Sequence, residues 1–155
     1  QQISVVAADT IHRRLKQALG GMSARRLCES GPEVLRSHGL TRQKSRYCYE
    51  LGRSIVERRL SFRRLNELSD WDAMAVLVAQ PGIGPWTASI YLMSALGRID
   101  VWPPGDLALR VGVASILPDE SGGELGDTGM RWQPKRAVAA RLVWHHYRQQ
   151  RNPRS

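Results

Sequence analysis

Asp106 stands between "PPG" and "LALRVGV". A carboxylate at that point can cap the helix that follows by accepting from amides of its first turn. The same placement suits chemistry. The positive end of a helix favours the negative charge and aims the side chain outward, so it faces a substrate with little reorganisation. The residues alone read both ways. About twenty residues earlier, "PGIGPWTA" (81–88) sets two glycines and two prolines between the apolar runs "AMAVLVA" and "SIYLMSAL". Gly82 and Gly84 admit backbone angles that a side chain would forbid, and they leave amides uncovered where a helix begins near Pro85. Unpaired donors and a helix dipole favour an anion, so the turn suits a phosphate gripped through the backbone without reading sequence. A plain helix–turn–helix corner explains the glycines equally well.

Holding these groups requires helices, and the pattern supplies them. The first helix is predicted to run to about Leu19 and to stop at Gly20-Gly21, followed by two short ones over "SARRLCES" and "PEVLRSHG", with Pro32 near the start of the second. Thr41 caps a longer helix over "RQKSRYCYELGRSIVERRL", in which Tyr47, Leu51 and Ile55 recur four apart. "SFRRLNEL" adds a turn or two. Ser69 and Asp72 have capping-box spacing ahead of the hairpin motif, taken as 73–96, whose second helix opens at Pro85 and ends at Gly97. "LALRVGVASIL" is a helix stopped by Pro118, residues 118–130 form an acidic Gly-rich loop, and Pro134 opens a last helix before a frayed tail. No period-two strand is found. The expected class is all-α, a multi-helix bundle forming one domain over 1–155.

The balance of charge indicates the partner. Lys and Arg number 23 against 14 Asp and Glu in 155 residues, a formal charge of +9. Asp119, Glu120, Glu124 and Asp127 all fall in the Gly-rich loop, so the rest of the chain is more basic still. Such an excess favours a polyanion, with nucleic acid ahead of a membrane surface because no amphipathic anchor accompanies it. Hydrophobic residues at 42% and charged residues at 24% exclude a disordered or fibrous chain. Cys28 and Cys48 are the only cysteines, which argues against a zinc site or disulfide framework and fits a reducing cytoplasm. No signal peptide is expected, and no apolar stretch reaches membrane-spanning length. The chain opens already at helical spacing, "QQISVVAADTIHRRL", so upstream residues are expected to be missing.

The company around the turn is more specific than the turn. An apolar helix, "PGIG", two residues, a small pair "TA" and another apolar helix resemble the helix-hairpin-helix motif. "DVWPPGDLALRVGV" looks like the segment that carries the catalytic aspartate in the helix-hairpin-helix DNA glycosylases. "QQISVVAA" and "WQPKRAVAARLVW" also resemble that family, nearest its 3-methyladenine DNA glycosylase II branch. The matching stretches span nearly the whole chain in order.

That resemblance implies a helix-hairpin-helix glycosylase domain in which Asp106 assists cleavage of the bond between a damaged base and its deoxyribose, stabilising the sugar cation, activating water, or both. An alkylated purine already carries positive charge, so no dedicated proton donor is required. Strand-cutting members place a lysine two residues after the second hairpin glycine, where its amine forms a Schiff base; here that residue is Trp86, which implies a monofunctional enzyme. Two cysteines cannot supply the iron–sulfur cluster of the endonuclease III branch. The base must be flipped into a pocket of flat side chains, for which Trp86, Trp144 and Tyr91 are the candidates. A pocket tyrosine of the near relative falls on Ile90, and Gln80 replaces an apolar residue before "PGIG". Gly82, Ile83, Gly84 and Thr87 would grip the DNA backbone, Arg110 and the run Arg42, Lys44 and Arg46 would meet phosphates, and Gln2 would wedge into the gap left by the flipped base.

The expected partner is duplex DNA with damaged bases, met by a monomer in the bacterial cytoplasm at the nucleoid. No cofactor is expected and no metal in the chemistry, although a structural sodium or potassium ion could sit on hairpin carbonyls. The alternatives are a non-catalytic damage-binding module of the same fold, with Asp106 only a cap, and a glycosylase for deaminated or oxidised bases.

Overall fold

The structure is a computed structural model that describes residues 5–118 and 129–151. Gln2, the four acids of the Gly-rich loop and the tail lie outside the described residues. Every regular element among the described residues is helical. The chain forms two compact units, Gln1–Leu65 with Gln80–Gly82, and Asn66–Ala79 with Ile83–Ser155.

The first unit holds α1 (Val5–Ala18), α2 (Ala24–Ser37) and α3 (Arg42–Val56). Ser23 and Thr41 cap α2 and α3 by accepting from the amides of Arg26 and Lys44. Gly31 interrupts α2 at φ 72°, so its two halves are the two short helices the sequence predicts. Leu15, Leu35 and Leu60 are buried here.

The sequence predicts α3 through to Leu60, but it ends at Val56, and the reason is burial. Leu60 lies four residues after Val56, so a continuing helix would put both on one face. Val56 is 48% exposed while Leu60 is 1% exposed. The chain instead turns at Arg58, which takes the left-handed φ of 60°, and Leu60 N–H donates to the Ser54 carbonyl at 2.9 Å. A non-glycine residue pays about 1–2 kcal/mol for that conformation. Arg58→Gly should therefore raise stability by about 0.5–1 kcal/mol after the entropy of the unfolded glycine is subtracted. Urea unfolding measures this, and an unchanged or lower midpoint would contradict it.

A short helix, α4 (Phe62–Glu67), carries the chain into the second unit, which holds α5 (Asp70–Val78), α6 (Pro85–Ser94), α7 (Leu107–Ile116) and α8 (Arg136–Arg151). Ser69 caps α5, accepting from the Asp72 amide at 3.1 Å and donating its hydroxyl to the Asp72 carboxylate at 2.6 Å. The helices α5 and α6 pair around Ala73, Leu77, Ala88 and Leu92, all buried. Helix α7 packs on α8 at Gly112, where a Cβ would come 3.2 Å from the Val143 carbonyl oxygen; from the next position, the Trp144 side chain reaches back to the N-cap of α7.

The segment between α6 and α7 is pinned to the start of α8. Asp100 accepts from the Arg136 backbone N–H at 3.2 Å and from its guanidinium at 2.8 and 3.1 Å, while Ala137 N–H donates to the Ile99 carbonyl at 2.9 Å. Asp100 thus serves the open amides of a helix 36 residues away. The Arg136 hydrogen bonds hold its carboxyl below the usual carboxylate range. Trp102 packs against Trp132 with ring centroids 5.2 Å apart.

Candidate active site

Asp106 is the N-cap of α7, as its sequence position predicts, with Oδ1 accepting from the Leu109 amide at 2.8 Å. The cap accounts for only part of its surroundings. The Trp144 indole N–H donates to the same Oδ1 at 3.1 Å, and the Trp86 indole N–H donates to Oδ2 at 2.7 Å. Three helices of the second unit meet at this carboxylate: α6 through Trp86 near its first turn, α7 through its cap, and α8 through Trp144. Asp106 is 9% exposed and both tryptophans are half-buried.

Among the described residues no lysine, arginine or histidine forms an ion pair with Asp106. A buried charge needs compensation, and here it comes from three N–H dipoles and the positive end of α7. Hydrogen bonds to a charged group contribute about 1.5–3 kcal/mol each. A carboxylate has about four lone-pair sites. Two donors occupy Oδ1 and one occupies Oδ2, so one site on Oδ2 stays open. A fixed negative charge without a protein cation beside it is suited to stabilise positive charge that develops on a bound molecule, or to orient a water towards it.

The turn between α5 and α6 needs a correction to its expected geometry. Gly82 does take a positive φ, 82°, and a Cβ there would overlap the Tyr47 ring, so the position excludes side chains for two reasons. Gly84 is different. Its φ of −89° and ψ of 172° are ordinary extended backbone, and nothing lies within 4 Å of where its Cβ would be. Neither strain nor packing calls for a glycine at 84. What remains is its place as the exposed N-cap of α6, where it has no side-chain cap and the following amides are open.

The other predicted residues divide. Thr87 and Arg110 are exposed in the first turns of α6 and α7, and Ile83 is half-buried in the turn. Arg42, Lys44 and Arg46 are exposed on α3. Tyr91 does not share the Trp86 face: five residues along α6 turn it by roughly 140°, whereas Ile90 stays on that stripe. Burial raises the Tyr91 phenol above its ordinary pKa. Sequence reading missed Asp100 and Arg136, which hold the Asp106 segment in place; the only signal was an acid and a base of opposite sign in separate loop-proximal positions. Among the described residues no group of three or more His, Cys, Asp or Glu side chains is placed to hold a metal.

The chain matches no protein-family model. The structure of a DNA-3-methyladenine glycosidase from Bacillus halodurans aligns with it at a TM-score of 0.83 and 31% identity, covering 95% of this chain and 70% of that one. A Saccharomyces cerevisiae DNA-3-methyladenine glycosylase is 32% identical over 130 residues, which is 77% of this chain and 44% of the yeast protein. A Schizosaccharomyces pombe 3-methyladenine DNA glycosylase in complex with abasic DNA shares the fold, with a TM-score of 0.76 at 24% identity over 93% of this chain and 73% of the other. The chain spans about half the length of the curated relatives it matches, 54% of a Bacillus subtilis protein and 44% of the yeast one.

Proposed function

The chain belongs to the DNA-3-methyladenine glycosylase family, and on that premise we propose that it excises alkylated purines from duplex DNA by hydrolysing the N-glycosidic bond, as a monomer that leaves the abasic strand uncut. The observation that carries this reading is the Asp106 carboxylate: nearly buried, oriented by three N–H donors and lacking a cation among the described residues. As the base leaves, positive charge develops on the deoxyribose. Asp106 supplies the opposite charge and, through Oδ2, a site to hold the attacking water. An alkylated purine departs as a neutral base, which removes the need for a general acid.

The flat rings of Trp86 and Trp144 would receive the flipped, cationic base, by stacking and cation–π attraction of about 0.5–2 kcal/mol per ring. Gly84 and the open amides of α6 would hold a phosphate, and Arg110 of the same unit would meet another. Arg42, Lys44 and Arg46 of the first unit, taken by themselves, would also contact phosphates. A monovalent cation on the hairpin carbonyls would be structural, with no step assigned to it. No described helix is long and apolar enough to cross a membrane, and the place of action is the chromosomal DNA.

The test is incubation with duplex DNA treated with a methylating agent. The expected result is chromatographic release of free methylpurines, with strand breaks only after alkali. Breaks without alkali would refute the monofunctional reading, for which Trp86 in the lysine position is the support. Release of deaminated or oxidised bases in place of methylpurines would refute the substrate class.

A further inference from the structure

We infer that Trp86 and Trp144 are positioning residues for Asp106, acting through their indole N–H groups and separately from any stacking on a base. This rests on Asp106 being the reacting carboxylate of the proposed glycosylase.

A helix cap alone needs only the Leu109 amide, and that bond leaves the carboxylate free to rotate about its last torsion. The two indoles remove that freedom. Trp144, 38 residues away, fills the second site on Oδ1 at 3.1 Å, and Trp86, 20 residues away, engages Oδ2 at 2.7 Å. With Oδ1 saturated, only Oδ2 can meet a sugar or a water, and it is held in one orientation before the substrate arrives. An indole N–H lies in the ring plane at its edge, so donating it leaves both ring faces free. One tryptophan can therefore orient the carboxylate and still offer a face to a base. Misplacing a reacting group by about 1 Å costs on the order of 10²-fold in rate, so this orientation is kinetically significant.

Trp86→Phe and Trp144→Phe keep a flat ring and delete the donor. A benzothiophene analogue of tryptophan at either position keeps the two-ring shape and deletes only the N–H. The readouts are the single-turnover rate of methylpurine release and the dissociation constant for abasic-site duplex. Each donor deletion is expected to slow release by about 10–100-fold while affinity stays within about twofold, and the analogue should be as slow as phenylalanine. A normal rate in the analogue would overturn the inference, because shape and stacking would then suffice. Equal losses of rate and affinity in the analogue would overturn it too, since that is the behaviour of a binding contact. Failure of the underlying reading looks different: Asp106→Ala would release methylpurines as fast as the wild type.

Discussion

Asp106→Asn should release methylpurines about 10²–10³-fold more slowly than the wild type. The substitution removes the negative charge that Asp106 supplies to the sugar cation. It also does more than neutralise, because the carboxylate accepts on both oxygens. An asparagine that keeps its oxygen towards Leu109 and Trp144 turns its amide N–H₂ against the Trp86 N–H. Flipping the amide moves the conflict to the other two donors. A buried donor without an acceptor costs about 1–3 kcal/mol, so the variant should also melt several degrees lower. Adding Trp86→Phe removes the opposed donor and should restore the melting temperature while activity stays lost. Recovery of stability without recovery of rate separates the carboxylate's structural role from its chemical one. Full activity in Asp106→Asn would contradict the account.

Gly82→Ala is expected to unfold the protein more readily by about 2–5 kcal/mol, the sum of left-handed strain and overpacking. The added Cβ would lie 2.9 Å from the Tyr47 Cβ, an atom that a change of rotamer cannot move away. Tyr47 is further held by the Gln43 amide, which donates to its hydroxyl at 2.6 Å. Gly84→Ala is the contrasting case. Its backbone angles suit any residue and the space around it is open, so the fold should lose less than about 1 kcal/mol. If a phosphate approaches the amides of α6, that methyl group stands in its path, and affinity for abasic-site duplex should fall at least tenfold, roughly one charge-assisted hydrogen bond. Thermal melts and fluorescence titrations decide both. Wild-type affinity in Gly84→Ala would remove the phosphate cradle, and a stable Gly82→Ala would show that Tyr47 can retreat.

What the sequence made legible was local. Thr41, Ser69 and Asp106 are caps because a short polar side chain ahead of an apolar run has few other uses, and each caps its helix in the structure. The all-helical class follows from the same spacing. The end of α3 at Arg58 was hidden, because the burial of Leu60 is a demand of tertiary packing that overrides a continuing helical pattern. The glycines of the turn read alike in sequence, yet one is fixed by φ and Tyr47 and the other by neither. Asp106 and both tryptophans could be singled out one by one, and the structure brings them together. Their hydrogen bonds could not, because a pairing across 20 or 38 positions leaves no local signature. Asp100 and Arg136 were missed for the same reason, being 36 positions apart.

The most direct test of the central claim is single-turnover release of 3-methyladenine from a methylated duplex by the wild type and Asp106→Asn, with binding to abasic-site duplex measured alongside. The account predicts rapid release by the wild type, release slowed by at least about 10²-fold in the variant, and retained DNA binding in both. Binding by both proteins with no release by either would contradict it and leave a damage-binding module in which Asp106 is only a cap.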